Sequence, residues 1–202
     1  MRMFASNGLL PIDLADATLG LDPAWLSRAE ADALFASLLA KIEWEVHRIR
    51  MFGRQIDSPR LSCWIGDPGA SYTYSRTRFE PHPWPFMLLP IRERLRDTLG
   101  VDFNSVLANR YRNGRDAMGW HSDDEPELGP QPVIASVSLG ATRRFALKPR
   151  GEGGRLTLDL PHGSLLVMRG DTQARYRHAL PATARPVGER INLTFRRIVL
   201  SA

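Results

Sequence analysis

From Ser105 onward the chain never sustains an apolar repeat long enough for a helix. It offers a succession of short strand-like segments instead: SVLANRYR, PVIASVSL, RRFALKP, RLTLDL, SLLVMR, RYRHAL and RINLTFRRIVL. The loops between them carry Gly114, Gly129-Pro130, Gly151 to Gly154, Pro161 to Gly163 and Pro186 to Gly188, the residues that reverse a chain most readily. Many short strands following two helical segments predict a β-sandwich or jelly roll with helices on one side.

The first half of the chain supplies those helices. Leu9 to Asp22 reads as an irregular or short-strand lead-in. Asp22-Pro23 predicts a helix start, because Asp caps well and Pro suits the first helical position. Leu26, Ala29, Ala33, Leu38, Leu39 and Ile42 then recur at near-helical spacing. Met51-Phe52-Gly53 projects between Arg48, Arg50 and Arg54, either as a hairpin tip packed on its own domain or as a wedge for a base stack. Leu61 to Phe79 predicts two strands around Gly66-Asp67-Pro68-Gly69. In the second, SYTYSRTRF, alternation places Tyr72, Tyr74, Arg76 and Arg78 on one face. Such a face suits stacking on bases and pairing with phosphates, and equally a cross-strand aromatic ladder. After the PHPWP loop a second helix runs to about Leu99, with Gly100 as its stop. The expectation is one domain over 1–202, with helices and a lid in 1–104 and a strand-built core in 105–202.

The single Cys63 excludes an internal disulfide and fits a reducing compartment. The N-terminus lacks the apolar core of a secretion signal, and no apolar run approaches a membrane span. The expected place is cytoplasmic in a bacterium, or nuclear and cytoplasmic in a eukaryote. The formal net charge is +5, and only Lys41 and Lys148 of the basic residues are lysines. Arginine is the better bidentate phosphate partner and stacks on bases, so the charge leans towards nucleic acid.

The chemistry concentrates in NRYRNGRDAMGWHSDDE, residues 109–125. His121 and Asp123 stand two apart, and on a strand they would share a face, so an imidazole nitrogen and a carboxylate oxygen could meet at one divalent ion. Alone the pair is a weak signal. Further along, Arg190, Asn192, Thr194 and Arg196 alternate in RINLTFR and would also share a face, where two arginines could grip a carboxylate. The third ligand lies among the remaining histidines. His178 is preferred over His162, because it sits in a strand shortly before Arg190, whereas His162 sits in a turn. Two histidines and one carboxylate with open positions make the facial triad of non-haem Fe(II) oxygenases.

The motifs NRYRNGRDAMGWHSDDEPELG, PVIASVSLGATRRF, HGSLLVMRGDTQARYRHALP and RINLTFR, in that order, resemble the AlkB family. These are Fe(II)- and 2-oxoglutarate-dependent nucleic-acid dealkylases. The likeness runs from about Pro59 to Arg197 and is nearest the animal homologues acting on single strands. It implies a double-stranded β-helix, a form of jelly roll. It implies iron ligands His121, Asp123 and His178, and Asn109, Tyr111, Arg190, Asn192, Thr194 and Arg196 around 2-oxoglutarate, with O2 as the second co-substrate. Which arginine holds which carboxylate stays open. Tyr72 and Tyr74 become lid residues. Tyr74 and His121 would sandwich a flipped base, Arg60 would lie near the substrate, and Asp124 and Glu125 would face the base or neighbouring nucleic acid. Phe52 resembles an intercalating finger. The implied activity is oxidative demethylation of bases such as 1-methyladenine and 3-methylcytosine in DNA, with RNA as an alternative, releasing formaldehyde and succinate. The expected partners are methylated nucleic acids, with no membrane and no obligate protein partner, and the expected state is a monomer. A non-catalytic nucleic-acid binder, or an oxygenase of the same cofactor class acting on other substrates, stays as the alternative.

Overall fold

The computed structural model describes residues 8–46, 48–51, 54–74 and 77–199. Phe52, Gly53, His47 and Arg76 lie outside the described residues. Strands β1 (Leu10–Ile12) and β2 (Thr18–Asp22) lead into helix α1 (Arg28–Lys41). Strands β3 (Arg48–Met51) and β4 (Arg54–Asp57) pair as a hairpin, and β5 (Leu61–Gly66) follows. A second small hairpin joins β6 (Tyr72–Tyr74) to β7 (Thr77–Phe79). Helix α2 (Leu89–Leu99) extends a 3-10 turn at Phe86–Leu88 and stops at Gly100, whose φ of 66° is the left-handed value that favours glycine. The core strands are β8 (Ser105–Tyr111), β9 (Met118–His121), β10 (Ile134–Gly140), β11 (Arg143–Pro149), β12 (Leu156–Leu160), β13 (Ser164–Arg169), β14 (Tyr176–Leu180) and β15 (Arg190–Arg196), with the single helical turn α3 (Thr172–Arg175) before β14.

These strands form two sheets. The larger has the order β1-β2-β13-β10-β15-β8-β5 and the smaller β12-β11-β14-β9, all pairings within them being antiparallel. Of the eight strands β8 to β15, β8, β10, β13 and β15 lie in the larger sheet and β9, β11, β12 and β14 in the smaller, which is the jelly-roll, double-stranded β-helix arrangement expected.

Strand alternation sorts the larger sheet into two faces. Val106 and Ala108 of β8, Ala135, Val137 and Leu139 of β10, and Ile191, Leu193 and Phe195 of β15 join one buried cluster with Leu34 and Leu38 of α1 and Leu95 and Leu99 of α2. Both helices therefore cover the outer side of this sheet. The residues between them in sequence point into the sandwich: Leu107, Asn109 and Tyr111, Ser136, and Asn192, Thr194 and Arg196 line one interior cavity. A second apolar cluster closes the space between the sheets, with Trp64, Ile134, Phe145, Leu147, Leu160, Leu166, Met168 and Tyr176. A polar track crosses this largely apolar interior, and that track carries the site. Among the described residues no helix is long and apolar enough to cross a membrane.

Three local expectations are corrected. Helix α1 starts five residues after Pro23, because Asp22 remains in β2 and turns its carboxylate onto the Ala24 amide at 3.0 Å. Ser27 and Glu30 supply the start instead, as a reciprocal capping box. The buried stripe is Ala31, Leu34 and Leu38, while Ala29 and Ala33 face solvent. The segment SYTYSRTRF is not one strand. It folds back on itself, pairing Tyr72 with Phe79 and Tyr74 with Thr77.

Candidate metal centre and its anion cradle

Strand β9 ends at His121, and Asp123 lies beyond it in the segment that crosses back towards β10. The shared strand face expected of these two is therefore not what unites them. Pairing of β9 with β14 sets His121 directly opposite His178, with ring centroids 4.2 Å apart. Asp123 closes the group, its Oδ1 lying 3.8 Å from the His121 Nε2. One ligand atom from each of His121, Asp123 and His178 falls within 4.8 Å of the others. Two imidazoles and one carboxylate at this separation fit a single divalent ion of intermediate softness.

The neighbours prepare each ligand. The His121 Nδ1 lies 2.9 Å from the Gly119 carbonyl, so Nδ1 carries the proton and Nε2 offers its lone pair. His178 packs against Phe145 at 5.3 Å between ring centroids. Burial, and then the nearby His121, push its pKa down to about 3, so it is neutral at working pH. Burial lowers His121 in the same direction, against the pull of Asp123. Burial alone would raise Asp123, yet the Arg196 charge, the largest opposing influence, holds its carboxyl below the ordinary range. The Arg196 guanidinium donates to the Asp123 Oδ1 at 2.7 Å, and the pair is almost wholly buried. All three ligands are thus already deprotonated, as a cation requires.

Sequence reading did not foresee the supports of this centre. Gln173, on α3, accepts the Asp123 backbone N–H at 2.9 Å, and the Ser122 hydroxyl donates to the Tyr176 carbonyl at 2.7 Å. Nothing in the sequence around Gln173 signals that role. Ser136 and Ser138 were legible in principle, because they alternate with apolar residues in PVIASVSL.

The cradle beside the metal site is built by register. Strands β8, β15 and β10 place Asn109 opposite Asn192, and Tyr111 opposite Arg190, with Ser138 opposite Asn192 on the other side. Arg190 is fully buried. It donates once, to the Ser138 hydroxyl at 2.8 Å, and its Nε and Nη1 have no hydrogen-bond partner among the described residues. Its Cζ lies 5.4 Å from the centre of the Tyr111 ring, which itself faces the cavity. Burial lowers its pKa only to about 10, so it remains a cation. A buried charge without a counter-charge is costly, and the unpartnered Nε and Nη1 are a pair of donors that suits a two-oxygen anion. Arg196, by contrast, is committed to Asp123. The two arginines left open by the sequence therefore differ in counter-charge: Arg196 is ion-paired with the metal-ligand candidate Asp123, and Arg190 has no carboxylate beside it among the described residues.

The remaining candidates fall as follows. Asn109, Tyr111, Asn192 and Thr194 line the cavity together with the three ligands. The Asn192 amide donates to the Ser136 hydroxyl and the Val137 carbonyl, which fixes its plane. Arg60 is buried and donates from Nε to the Asn109 Oδ1 at 2.7 Å. Asp124 does not line the cavity; it is half-exposed and ion-paired with Arg150, so its charge is already compensated. Glu125 likewise lies outside the cavity lining, at the start of a 3-10 turn. Tyr72 and Tyr74 stand in β6, and Phe52 lies outside the described residues.

Comparison with known proteins fits these observations. The chain matches the 2OG-Fe(II) oxygenase superfamily over residues 18–196. It is 37% identical over 210 residues to the alpha-ketoglutarate-dependent dioxygenase alkB homolog 3 of Homo sapiens, covering 98% of this chain and 73% of that protein. It is 38% identical over 200 residues to the DNA oxidative demethylase ALKBH2 of Homo sapiens, covering 90% of this chain and 75% of that protein. The solved structure of OsALKBH1 superposes with a TM-score of 0.65 over 93% of this chain and 100% of that chain, at 17% identity, a likeness of fold. With the superfamily spanning nearly all of the described core, and relatives this similar over most of their length, the chain belongs to the AlkB family and is a dioxygenase dependent on Fe(II) and 2-oxoglutarate.

Proposed function

We propose that this dioxygenase removes methyl groups from ring nitrogens of nucleic-acid bases, with 1-methyladenine and 3-methylcytosine as substrates, in DNA or RNA. The observation that carries the reading is the pairing of the His121, Asp123 and His178 cluster with a buried arginine fork that lacks its anion, in a chain similar to a DNA oxidative demethylase. His121, Asp123 and His178 would hold Fe(II), and Arg190 would hold the distal carboxylate of 2-oxoglutarate. When bound, the iron and its co-substrate supply the oxidation: one O2 converts the N-methyl to formaldehyde and 2-oxoglutarate to succinate and carbon dioxide.

The chain's own part is to position and to exclude water. Arg196 keeps Asp123 ionised and fixes its carboxylate plane. Gln173 and Ser122 hold the backbone that carries it. Ser138 and Tyr111 aim Arg190, while Ser136 orients Asn192 alongside. Phe145 and Met168 close the apolar side of the cavity. A base reaches such a cavity only by leaving its stack, at a cost of a few kcal/mol that methylation of the pairing edge reduces. Tyr72, Tyr74 and Arg60 are the groups we assign to receive it, and Phe52 to fill the gap left in a duplex.

Formaldehyde release from matched single- and double-stranded oligonucleotides carrying one methylated base tests this reading. Release that requires both Fe(II) and 2-oxoglutarate is expected on methylated strands and not on plain ones. Phe52→Ala is expected to lose activity selectively on the duplex. Equal loss on both substrates would contradict the wedge, and no release from either would contradict the substrate class.

A further inference from the structure

Two loops meet behind the anion cradle, and one buried cation holds both. The first, residues 112–117, leaves β8 at Tyr111 and enters β9 at Met118. The second, residues 181–189, leaves β14 at Leu180 and enters β15 at Arg190. All four flanking residues belong to the site: Tyr111, Met118 and Leu180 line the cavity, and Arg190 carries the unpartnered donors. They are also paired in register, Tyr111 with Arg190 and Met118 with Leu180. The loops touch where they cross. The Thr183 N–H donates to the Gly114 carbonyl at 2.8 Å, and a Cβ on Gly114 would come within 2.5 Å of the Thr183 carbonyl oxygen.

Arg143 opens β11, is buried, and does not line the cavity. Its Nη1 donates to the Asn113 carbonyl at 3.1 Å, and its Nη2 to the carbonyls of Asp116 and Pro181, each at 2.9 Å. One guanidinium therefore ties the first loop to the second. The Asp116 carboxylate is engaged elsewhere, accepting from the backbone and the side chain of Arg112. The Arg143 Cζ also lies 5.8 Å from the centre of the Tyr111 ring, the ring that Arg190 approaches to 5.4 Å. A buried guanidinium is costly unless its geometry is well satisfied. Here every hydrogen bond it makes among the described residues falls on the two loops.

We propose that Arg143 is a positioning residue for 2-oxoglutarate: by tying the two loops together and backing the Tyr111 ring, it holds the wall against which Arg190 receives the co-substrate carboxylate. The inference rests on the reading of Arg190 as that carboxylate's partner, and adds to it a residue outside the cavity. It does not depend on which substrate is oxidised. Without the guanidinium the two loops lose their tie, and Tyr111 and Arg190, which begin and end them, lose their fixed separation. Co-substrate affinity then falls while the metal centre stays, because Arg143 hydrogen-bonds to none of the three ligands.

The test is calorimetric titration of 2-oxoglutarate into the Mn(II)-loaded protein, with metal content measured alongside. Arg143→Met is expected to raise the Kd by roughly 10–100-fold, the range typical of an outer support, and to retain its metal. With saturating 2-oxoglutarate its turnover is expected to match the wild type. Arg143→Lys keeps the charge but lacks the planar fork, so it is expected to fold and to show a smaller rise. Arg94→Gln is the structural control. It removes a guanidinium that donates to the Trp25 carbonyl and stacks on the Trp25 ring, away from the cavity, and is expected to lower the melting temperature without moving the Kd. An unchanged Kd in Arg143→Met, or in Arg143→Lys should the first variant fail to fold, overturns the proposal. An equal rise in Arg94→Gln also overturns it, since affinity would then follow stability. So does a raised KM for a methylated oligonucleotide with an unchanged Kd for 2-oxoglutarate, which would place Arg143 on the nucleic acid. Arg190→Met in the same titration separates the two readings: an unchanged Kd there overturns both, whereas an unchanged Kd in the Arg143 variants alone leaves the Arg190 assignment standing.

Discussion

Arg190→Met is expected to raise the KM for 2-oxoglutarate between about 30-fold and about 5,000-fold, the equivalent of the ~2–5 kcal/mol lost when one partner of a buried charge pair is truncated. Iron affinity should change little, because the Arg190 guanidinium contacts Ser138 and Tyr111 rather than the three metal ligands. A second consequence separates binding from structure. In the protein without co-substrate, Arg190 is a fully buried cation with two unpartnered nitrogens. Replacing it with a methionine of similar length removes an uncompensated charge, so the variant should melt no lower than the wild type when 2-oxoglutarate is absent. Added 2-oxoglutarate should then raise the melting temperature of the metal-loaded wild type and leave the variant unmoved. A variant that melts well below the wild type without ligand would mean that Arg190 is mainly a structural residue. Arg190→Lys should recover only part of the affinity, since an ammonium lacks the two-pronged donor geometry.

Asp123→Ala is expected to lose iron and to destabilise the metal-free protein by about 3–5 kcal/mol, the range for breaking one side of a buried ion pair. The second effect comes from Arg196, which is 3% exposed and would keep its charge without the carboxylate that now accepts from it at 2.7 Å. Urea unfolding of the metal-free proteins measures it. The double variant Asp123→Ala/Arg196→Met should recover most of the stability and none of the iron. If the double variant were as unstable as the single one, the destabilisation would belong to lost packing rather than to the stranded charge.

The polar track was legible because strand alternation is a local property. In RINLTFR the residues Arg190, Asn192, Thr194 and Arg196 take one face and Ile191, Leu193 and Phe195 the other, and the folded chain keeps that division. The jelly roll was legible for the same reason, summed over many short segments. Partnership between distant groups was not. That Arg196 is ion-paired with Asp123 while Arg190 has no carboxylate beside it among the described residues depends on how β15 faces the β9–β10 crossing, which no local spacing encodes. His121 and Asp123 met for a reason other than the expected one: cross-strand pairing with β14 sets His121 against His178, and Gln173 and Arg196 bring Asp123 in from beyond the strand end. The Ser27 capping box outcompeted Asp22-Pro23 because Asp22 is held in β2, paired with Leu165 of β13. The fold-back of Tyr72 to Phe79 escaped the alternation rule because a tight hairpin and a continuous strand show the same short-range pattern.

Metal content per chain, measured after loading with Fe(II) under anaerobic conditions and removing free metal, tests the central claim most directly. Wild type should retain one iron per chain, and His178→Ala should retain almost none while keeping its secondary structure. Stoichiometric iron in His178→Ala would contradict the account, because the ion would then sit somewhere other than between His121, Asp123 and His178.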